Sequence, residues 1–386
     1  MMNQCLRRCS LLLVFASVGF LLVAPPAAAQ QDRATLTGTV TDAETGDPLP
    51  NANVIIANST QGTATNDDGE FRLANVPLGA QRLHVSVVGY ESEARNLNLR
   101  EGGVQTFDFA LEPATLEAEG VVVEAERDEE WLEQLERFTR LFIGETPNAA
   151  ETEILNPEVL HFSEGGGQFE AHATEPLEIE NNALGYQVTY FLDEFQATST
   201  RTRWDGEPLF EEMDGTPQQA VEWRERRRTA FMGSFHHLIL ALFSDRADGQ
   251  GFRLFKRPAS NMTAAGDSPF APPPQMGDQR FPTEADEIIH PGETDDEKIL
   301  DFDGMVEVVY LGATEIDEYY EWQQQFSRDR RIQVGDNYQT SQFWLERGPA
   351  TVDYKGDVVD PYGVTRSGYY AFKRIADQVP KEYRPQ

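Results

Sequence analysis

A histidine and a glutamate three positions apart, His290 and Glu293, are the residues most suggestive of metal chemistry. A His-x-x-Glu pair can bind zinc, but catalysis at zinc needs about three protein ligands and a water molecule. No histidine follows Glu293 in the sequence, and the proline and glycine inside the pair are poor choices for holding ligands rigidly. We therefore predict no metal site.

Other catalytic arrangements are also missing from the sequence. His236 and His237 are adjacent, and neighbouring helical positions lie about 100° apart, so the two cannot both face one ion. Ser234 lacks the Gly-x-Ser-x-Gly surroundings of a nucleophile and an identifiable base. Glycine-rich phosphate loops of the Walker or Rossmann type do not occur. No catalytic residue and no cofactor are predicted.

Four arginines close together in an acidic sequence are the candidate ligand-binding residues: Arg224, Arg226, Arg227 and Arg228. Guanidinium groups bind carboxylates and phosphates through paired hydrogen bonds. One interpretation is that these arginines pair with acidic side chains of the protein itself. The other is that they bind an anionic ligand, such as an acidic sugar or a lipid headgroup.

A long helix is predicted to carry this cluster. Thr216 can cap the helix and Pro217 suits its first turn, and the helix is expected to run to about Leu242. An earlier amphipathic helix is indicated from Asp128 to about Gly144, because one helical face carries a stripe of large apolar residues. That stripe consists of Trp131, Leu135, Phe138 and Phe142.

Much of the remaining chain after residue 128 is predicted to form strands, and the whole region an α+β domain. The strands are expected at residues 167–173, 184–195, 198–210, 305–311, 341–345 and 350–354, with a short helix at 369–378. Residues 258–297 are rich in Pro, Gly, Asp and Thr and include Pro272-Pro273-Pro274. Such a composition predicts a long exposed loop or a partly disordered insert.

Residues 34–111 alternate between apolar and polar residues, as strands with one buried face do. The apolar positions are Leu36, Val40, Ala52, Val54, Ile56, Phe71, Leu73, Leu83, Val85, Val87, Phe107, Phe109 and Leu111. Turn-forming clusters separate the runs, so we predict a small antiparallel β-sandwich. One cluster, Asn66-Asp67-Asp68-Gly69-Glu70, has the composition of a calcium loop but lacks EF-hand spacing, and a β-turn explains it more simply.

The same stretch resembles the carboxypeptidase regulatory-like domain, a transthyretin-like sandwich related in fold to starch-binding modules. The residues that carry the resemblance are Gly38–Asp42, Pro48–Val54, Gly62–Phe71 and Val88-Gly89-Tyr90. The resemblance implies a binding or stabilising role, since such modules accompany carboxypeptidases and also precede envelope proteins of Bacteroidota-type bacteria. Short segments such as Gly368-Tyr369-Tyr370 further resemble uncharacterised envelope proteins that carry this domain at the front.

The first 29 residues are predicted to be a secretory signal peptide. Arg7 and Arg8 precede an apolar run from Leu11 to Val23, and Ala27-Ala28-Ala29 supplies the small residues of a cleavage site. The run is too short to span a bilayer, so we expect no transmembrane segment in the mature chain. Both cysteines, Cys5 and Cys9, lie in this peptide, which leaves no disulfide or thiol chemistry to the mature protein.

The chain is strongly acidic, with a net charge of −33 from 65 acidic and 32 basic residues, of which five are lysine. A surface of this kind is typical of halophilic proteins and argues against nucleic-acid binding, which requires a concentrated basic surface. We therefore predict a salt-adapted protein that does not bind nucleic acid.

The sequence as a whole predicts an exported protein of the periplasm or outer membrane. Its parts are a signal peptide (1–29), a regulatory-like β-sandwich (30–112), an acidic linker (113–127) and a strand-rich α+β domain (128–386). A non-catalytic role in binding or assembly is expected, with a carbohydrate or an envelope protein as partner. The alternative is a hydrolase that acts on glycans or peptides through the second domain, although no catalytic carboxylate pair can be chosen among the acidic residues.

Overall fold

The computed structural model describes residues 33–114, 129–199, 201–258, 279–326, 337–360 and 362–385. The predicted signal peptide and most of the predicted linker therefore lie outside the described residues. None of the helices in these ranges is long and apolar enough to cross a membrane.

The N-terminal domain is a β-sandwich of two four-stranded sheets. Its strands are β1 (Arg33–Asp42), β2 (Asn53–Ile56), β3 (Gly62–Ala64), β4 (Glu70–Pro77), β5 (Gly79–Ser86), β6 (Glu93–Leu99), β7 (Gly103–Thr106) and β8 (Phe109–Leu111). One sheet has the order β4-β1-β7 with β8 also paired to β1, and the other has the order β3-β2-β5-β6. The predicted sandwich is confirmed, although β1 pairs with β7 and β8 in parallel rather than antiparallel fashion.

The predicted alternation of apolar residues builds the core of this sandwich. Leu36 and Val40 on β1 are fully buried against Val54 and Leu83 from the other sheet. The cluster at 66–70 forms a turn, in which the side chain of Asn66 accepts hydrogen bonds from the backbone of Asp68 and Glu70. The sandwich is therefore held by the residues whose period of two predicted it.

A six-stranded sheet and one helix begin the second domain. Helix α1 (Glu129–Phe142) precedes β9 (Thr152–Ile154), β10 (Leu160–Gly165), β11 (Gln168–Ala173), β12 (Leu177–Asn181), β13 (Tyr186–Ala197) and β14 (Thr202–Glu212). The sheet order is β10-β11-β13-β12-β9, and β14 forms a long hairpin with β13. The predicted apolar stripe of α1 packs on this sheet: Phe138 meets Phe195 edge-on, and Phe142 meets Tyr190.

Two helices replace the single long helix predicted between residues 216 and 242. They are α2 (Pro217–Phe231), which begins with a capping box at Thr216, and α3 (Phe235–Phe243), which is capped by Ser234. Gly233 between them has φ +71°, and the space beside it is filled by the ring of Tyr310. The single-helix prediction was wrong because a glycine and a new cap interrupt an apolar stripe that otherwise continues.

The C-terminal part contains eight described strands and two short helices. These are β15 (Phe252–Arg257), β16 (Phe281–Pro282), β17 (Ile289–Pro291), β18 (Glu297–Leu300), β19 (Met305–Thr314), α4 (Asp317–Phe326), β20 (Tyr338–Leu345), β21 (Ala350–Asp353), β22 (Val364–Gly368) and α5 (Tyr369–Phe372). A five-stranded sheet has the order β16-β15-β19-β20-β22, and a smaller sheet has the order β17-β18-β21.

The loop predicted at 258–297 is wrong in its second half. Residues 281–291 contribute strands to both sheets, and Ile288 and Ile289 are buried in the core beneath α3. A high content of Pro and Gly hid two short strands: β16, which is exposed, and β17, whose burial comes from tertiary packing rather than from local pattern. Residues 259–278 lie outside the described part.

The two domains meet along the outer face of the sheet that contains β5. Asn58 and Ser59 exchange backbone hydrogen bonds with Pro208 and Phe210 on β14, and the ring of His84 lies 5.0 Å from that of Phe191. The C-terminal tail adds a second attachment, since Glu382 accepts hydrogen bonds from both the backbone and the hydroxyl of Thr60. These contacts fix the sandwich against the second domain.

Candidate ligand-binding cleft

A large open cleft of about 1910 Å³ lies between the two domains. One side is the solvent-facing surface of the five-stranded sheet, and the hairpin of β13 and β14 faces it. Strands β5 and β6 of the N-terminal sandwich border the same space. Its size exceeds the roughly 300–1,000 Å³ of a pocket for one small molecule. We name it the interdomain cleft.

The period of two along the strands explains why the cleft has a polar sheet face. On β15, Phe252 and Leu254 are buried in the core, while Arg253, Phe255 and Arg257 line the cleft. The same alternation places a further set of side chains on the cleft side of β19, β20 and β22. They are Glu307, Val309, Leu311, Tyr338, Thr340, Gln342, Trp344, Thr365 and Ser367, and Glu346, directly after β20, also lines the cleft.

Glu346 orders one part of this face. Its carboxylate accepts hydrogen bonds from Trp344 Nε1 at 2.9 Å and from the Thr365 hydroxyl at 2.6 Å. It also accepts a bond from Arg201 Nη2, which reaches across from the β13–β14 hairpin, at 2.9 Å. The carboxylate therefore positions the indole and ties the two sides of the cleft together.

A second carboxylate, Glu307, is buried in the sheet face between two arginines. Arg257 Nε lies 3.2 Å from one of its oxygens, and Arg280 Nη1 lies 3.1 Å from the other. The guanidinium of Arg280 also stacks on the ring of Phe255 at 4.5 Å. Because both of its oxygens are engaged by cations, this buried carboxylate holds the two arginines in place and is not free to bind a ligand.

Aromatic rings border the cleft on several elements. Tyr362 carries the guanidinium of Arg203 over its ring at 3.4 Å, and its hydroxyl donates to Glu194 at 3.2 Å. Tyr338 is 37% exposed and is therefore available for stacking. The other aromatic lining residues are Tyr190, Trp204, Phe235, Phe255, Tyr319, Tyr320, Trp322, Trp344 and Tyr370.

The sandwich contributes amide and guanidinium groups. Arg82 on β5 lies opposite Asn96 on β6, and Ala80 lies opposite Asn98, so these side chains share the face that borders the cleft. Arg82 pairs with Glu207 at 2.5 Å. Glu207 is only 2% exposed, and burial raises its pKa to about 8 in spite of the arginine.

An ionic cluster fixes the base of the cleft. Lys355 donates from Nζ to the carbonyl of Ala80 at 3.1 Å, and burial lowers the pKa of this lysine to about 7. Burial also raises the pKa of Asp353 and of Asp357, and Lys381 Nζ lies 3.8 Å from Asp357 Oδ2. Through Lys355 this cluster of buried charges joins the second domain to the sandwich.

The comparison with protein families concerns the sandwich. Residues 36–123 match the family model of the CarboxypepD_reg-like domain. We call residues 33–111 of the structure the regulatory-like domain. The predicted resemblance is thus confirmed for this part of the chain, and the match extends past residue 112 to include Val121, Val122 and Val123.

Solved structures with some similarity cover only parts of the chain. A cohesin–X-dockerin complex from Acetivibrio cellulolyticus is 16% identical over 20% of this chain and 56% of that chain, with a TM-score of 0.18. A provisionally assigned carbohydrate-binding protein from Bacteroides uniformis is 11% identical over 47% of this chain and 80% of that chain, with a TM-score of 0.19. A protein from Bacteroides fragilis that is provisionally assigned as membrane-associated and has no known function is 16% identical over 42% and 64%, with a TM-score of 0.18.

Similarity at this level carries no conclusion about function. No curated protein matches the chain. The comparisons therefore identify a family only for the regulatory-like domain. Any function of the second domain has to be inferred from its structure.

The four arginines predicted as ligand-binding residues lie on α2, outside the cleft lining. Arg227 is buried and donates to the carbonyls of Leu184 and Gly185 at 2.6 and 2.8 Å. Arg226 pairs with Glu151 and Glu222, at 2.6 and 3.0 Å, and these partners raise its pKa. Arg224 and Arg228 are exposed. Their role in binding an anion stays a prediction.

The histidines considered for metal binding have internal contacts. His290 Nε2 contacts the carbonyl of Asp301 at 3.3 Å, and His236 Nε2 contacts that of Lys355 at 2.6 Å. His237 Nδ1 accepts from the backbone of Gly233. Among the described residues, no group of three or more His, Cys, Asp or Glu side chains is arranged to hold a metal ion.

The cleft residues were not predicted from the sequence as a site. The signal that exists is the alternation of arginines and aromatics along β15 and of polar and aromatic residues along β20. An alternating strand predicts a buried face and an exposed face. It does not show that the exposed face meets another domain.

Proposed function

We propose that the chain is a non-catalytic, exported binding protein of the cell envelope and that the interdomain cleft binds carbohydrate. The observation that carries the proposal is the sheet face of this cleft, where aromatic rings alternate with arginine, glutamine and glutamate side chains. Sugars present apolar ring faces that stack on aromatic side chains and hydroxyl groups that pair with planar polar groups. The predicted signal peptide supports export.

The two sides of the cleft supply complementary groups. Tyr338 and Gln342 lie on the cleft face of β20, and Asn96 and Asn98 extend from the regulatory-like domain. An amide offers both a donor and an acceptor, as a sugar hydroxyl requires. The volume of about 1910 Å³ suits a chain of several sugar residues rather than one.

The hydrolase alternative would need a carboxylate free to face the ligand. Three of the carboxylates that line the cleft are already engaged: Glu207 and Glu307 each pair with arginine, and Glu346 accepts three hydrogen bonds. We therefore assign positioning roles to these groups and propose binding without catalysis.

A glycan array with the mature chain tests the proposal. We expect binding of at least one oligosaccharide, and we expect Tyr338→Ala to weaken it about three- to tenfold through loss of stacking. Phe281→Ala is the matched control, because Phe281 is 52% exposed on β16 but does not line the cleft. Absence of glycan binding, or equal loss in both variants, would contradict the proposal.

A further inference from the structure

Two histidines lie side by side on the face of the six-stranded sheet that points away from α1. His161 on β10 and His172 on β11 are directly opposite one another in the strand register. The centroids of their rings are 5.1 Å apart and the ring planes differ by 14°, so the two imidazoles are stacked. The adjacent residues Phe162 and Ala171 belong to the core on the other face, where Phe162 packs against Phe138 of α1.

The hairpin that carries the two histidines fixes their positions. Its turn consists of Gly166 and Gly167, whose φ angles are +64° and +85°, and β10 and β11 pair on either side of it. Positive φ at both central residues is what a type I′ hairpin turn requires. Because the turn sets the register of a hairpin, it also holds His161 and His172 opposite each other.

Neither imidazole is engaged by the protein. Among the described residues, no group forms a hydrogen bond or a salt bridge with either ring. His161 is half-buried and His172 is exposed, so solvent reaches the pair. The other four histidines of the chain are either buried or hydrogen-bonded: His84, His236, His237 and His290. Free ring nitrogens and access from solvent therefore occur together at this pair.

Two neutral imidazoles in this arrangement have the chemistry of metal ligands. A neutral imidazole keeps a lone pair on one nitrogen, and imidazole is a favoured ligand of zinc and copper. Zinc lies about 2.0–2.1 Å from such a nitrogen, and side chains directly opposite on neighbouring strands are close enough for a small inward tilt of both rings to reach one ion. Among the described residues no group of three or more ligands forms, so water would fill the other positions.

We propose that His161 and His172 bind one divalent transition-metal ion such as Zn²⁺. Eleven positions separate the two residues in the sequence, so strand pairing rather than a local motif creates the site. The site is separate from the interdomain cleft, whose lining contains neither histidine. Because β10 is the edge strand of its sheet, a metal bridge to β11 ties down a strand that has one neighbour.

Calorimetric titration of the full mature chain with zinc chloride at pH 7.5 tests the proposal. Magnesium chloride at 10 mM is included, because hard cations occupy carboxylates and leave imidazoles free. We expect one Zn²⁺ per chain with a micromolar dissociation constant. His161→Gln and His172→Gln should each weaken binding at least about tenfold, since each removes one of the two protein ligands.

His290→Gln is the matched control. It removes a half-buried histidine of another sheet, whose Nε2 already contacts the carbonyl of Asp301, and it should leave zinc binding unchanged. Thermal melts provide a second readout: added zinc should raise the melting temperature of the wild type and of His290→Gln but not that of His161→Gln or His172→Gln. Melts without zinc verify that all variants fold.

Three results would overturn the site. They are the absence of binding up to 1 mM zinc, an affinity that neither His161→Gln nor His172→Gln lowers, and an equal loss in all three variants. Each of them would leave the glycan proposal untouched, because the histidine pair and the cleft share no residue.

Discussion

His84 on β5 is a buried histidine whose two ring nitrogens have no hydrogen-bond partner. It lies between the domains, against Phe191. Burial, reinforced by the charge of Arg82, lowers its pKa from 6.5 to about 4. The imidazole is therefore neutral in the folded protein at pH values where it is protonated in the unfolded chain.

We predict that this histidine makes the fold sensitive to acid. Between pH 6.5 and 4 the unfolded chain binds one more proton at this site than the folded chain, so stability falls as pH falls through this window. The contribution lost is about 3 kcal/mol at about 1.4 kcal/mol per pKa unit. His84→Phe should keep the ring contact and lose less stability between pH 6.5 and pH 4 in chemical denaturation. If the free energy of unfolding falls equally with pH in the variant and the wild type, this role of His84 is refuted.

Arg227 illustrates a buried cation that bonds to two carbonyl groups as well as to a carboxylate, that of Glu212, 3.1 Å from its Nη1. It closes the turn between β12 and β13 by donating to Leu184 and Gly185, and its guanidinium lies 3.9 Å from the centroid of the Tyr186 ring. We predict that Arg227→Ala lowers the free energy of unfolding by about 2–4 kcal/mol, since two buried carbonyls lose their donor. Arg224→Ala should change it by less than about 0.5 kcal/mol. Urea titrations that give equal midpoints for the two variants would contradict this account.

At the scale of elements, the period with which apolar residues recur predicted helices and strands most reliably. Alternation predicted β13 and β20 to within a few residues, and a helical stripe predicted α1. The fold class is confirmed, with a sandwich followed by a strand-rich α+β domain. Short strands without alternation were missed, among them β16, which is exposed, and β17, whose burial depends on neighbours distant in sequence.

The turn at Gly185 provides a test of how elements are packed. Gly185 has φ +68°, and a Cβ on it would lie 2.1 Å from the ring of Trp223, whose Nε1 donates to Asn182. Gly185→Ala combines backbone strain with overpacking, so we predict a loss of about 2–4 kcal/mol in unfolding free energy. Gly167→Ala is the matched control: φ is +85° but the space beside it is open, and the loss should be about 1 kcal/mol. Equal losses would show that the tryptophan contact is unimportant.

At the scale of the whole molecule, net charge predicts the response to salt. A charge of −33 makes the folded chain repel itself, and salt shortens the range of that repulsion from about 10 Å at 0.1 M to about 3 Å at 1 M. We predict that the melting temperature at pH 7.5 rises by several degrees over this range of sodium chloride. The rise should vanish near the sequence pI of about 4.4, where the net charge is small. A melting temperature independent of salt at pH 7.5 would contradict halophilic adaptation.

The interdomain cleft could not be predicted because its parts lie far apart in the sequence. Asn96 in the regulatory-like domain, Arg203 on β14 and Trp344 on β20 border one space, yet each belongs to a different sheet. The sequence pointed instead to the densest local cluster of arginines, on α2, whose role in binding stays a prediction.

Hydrogen exchange of backbone amides, measured on the full mature chain with and without a bound oligosaccharide from the array, tests the cleft most directly. We predict protection in peptides that cover β20 and β22, together with peptides that cover β6 of the regulatory-like domain. Protection confined to α2, around Arg224 and Arg228, or to one domain alone would contradict a binding site between the domains.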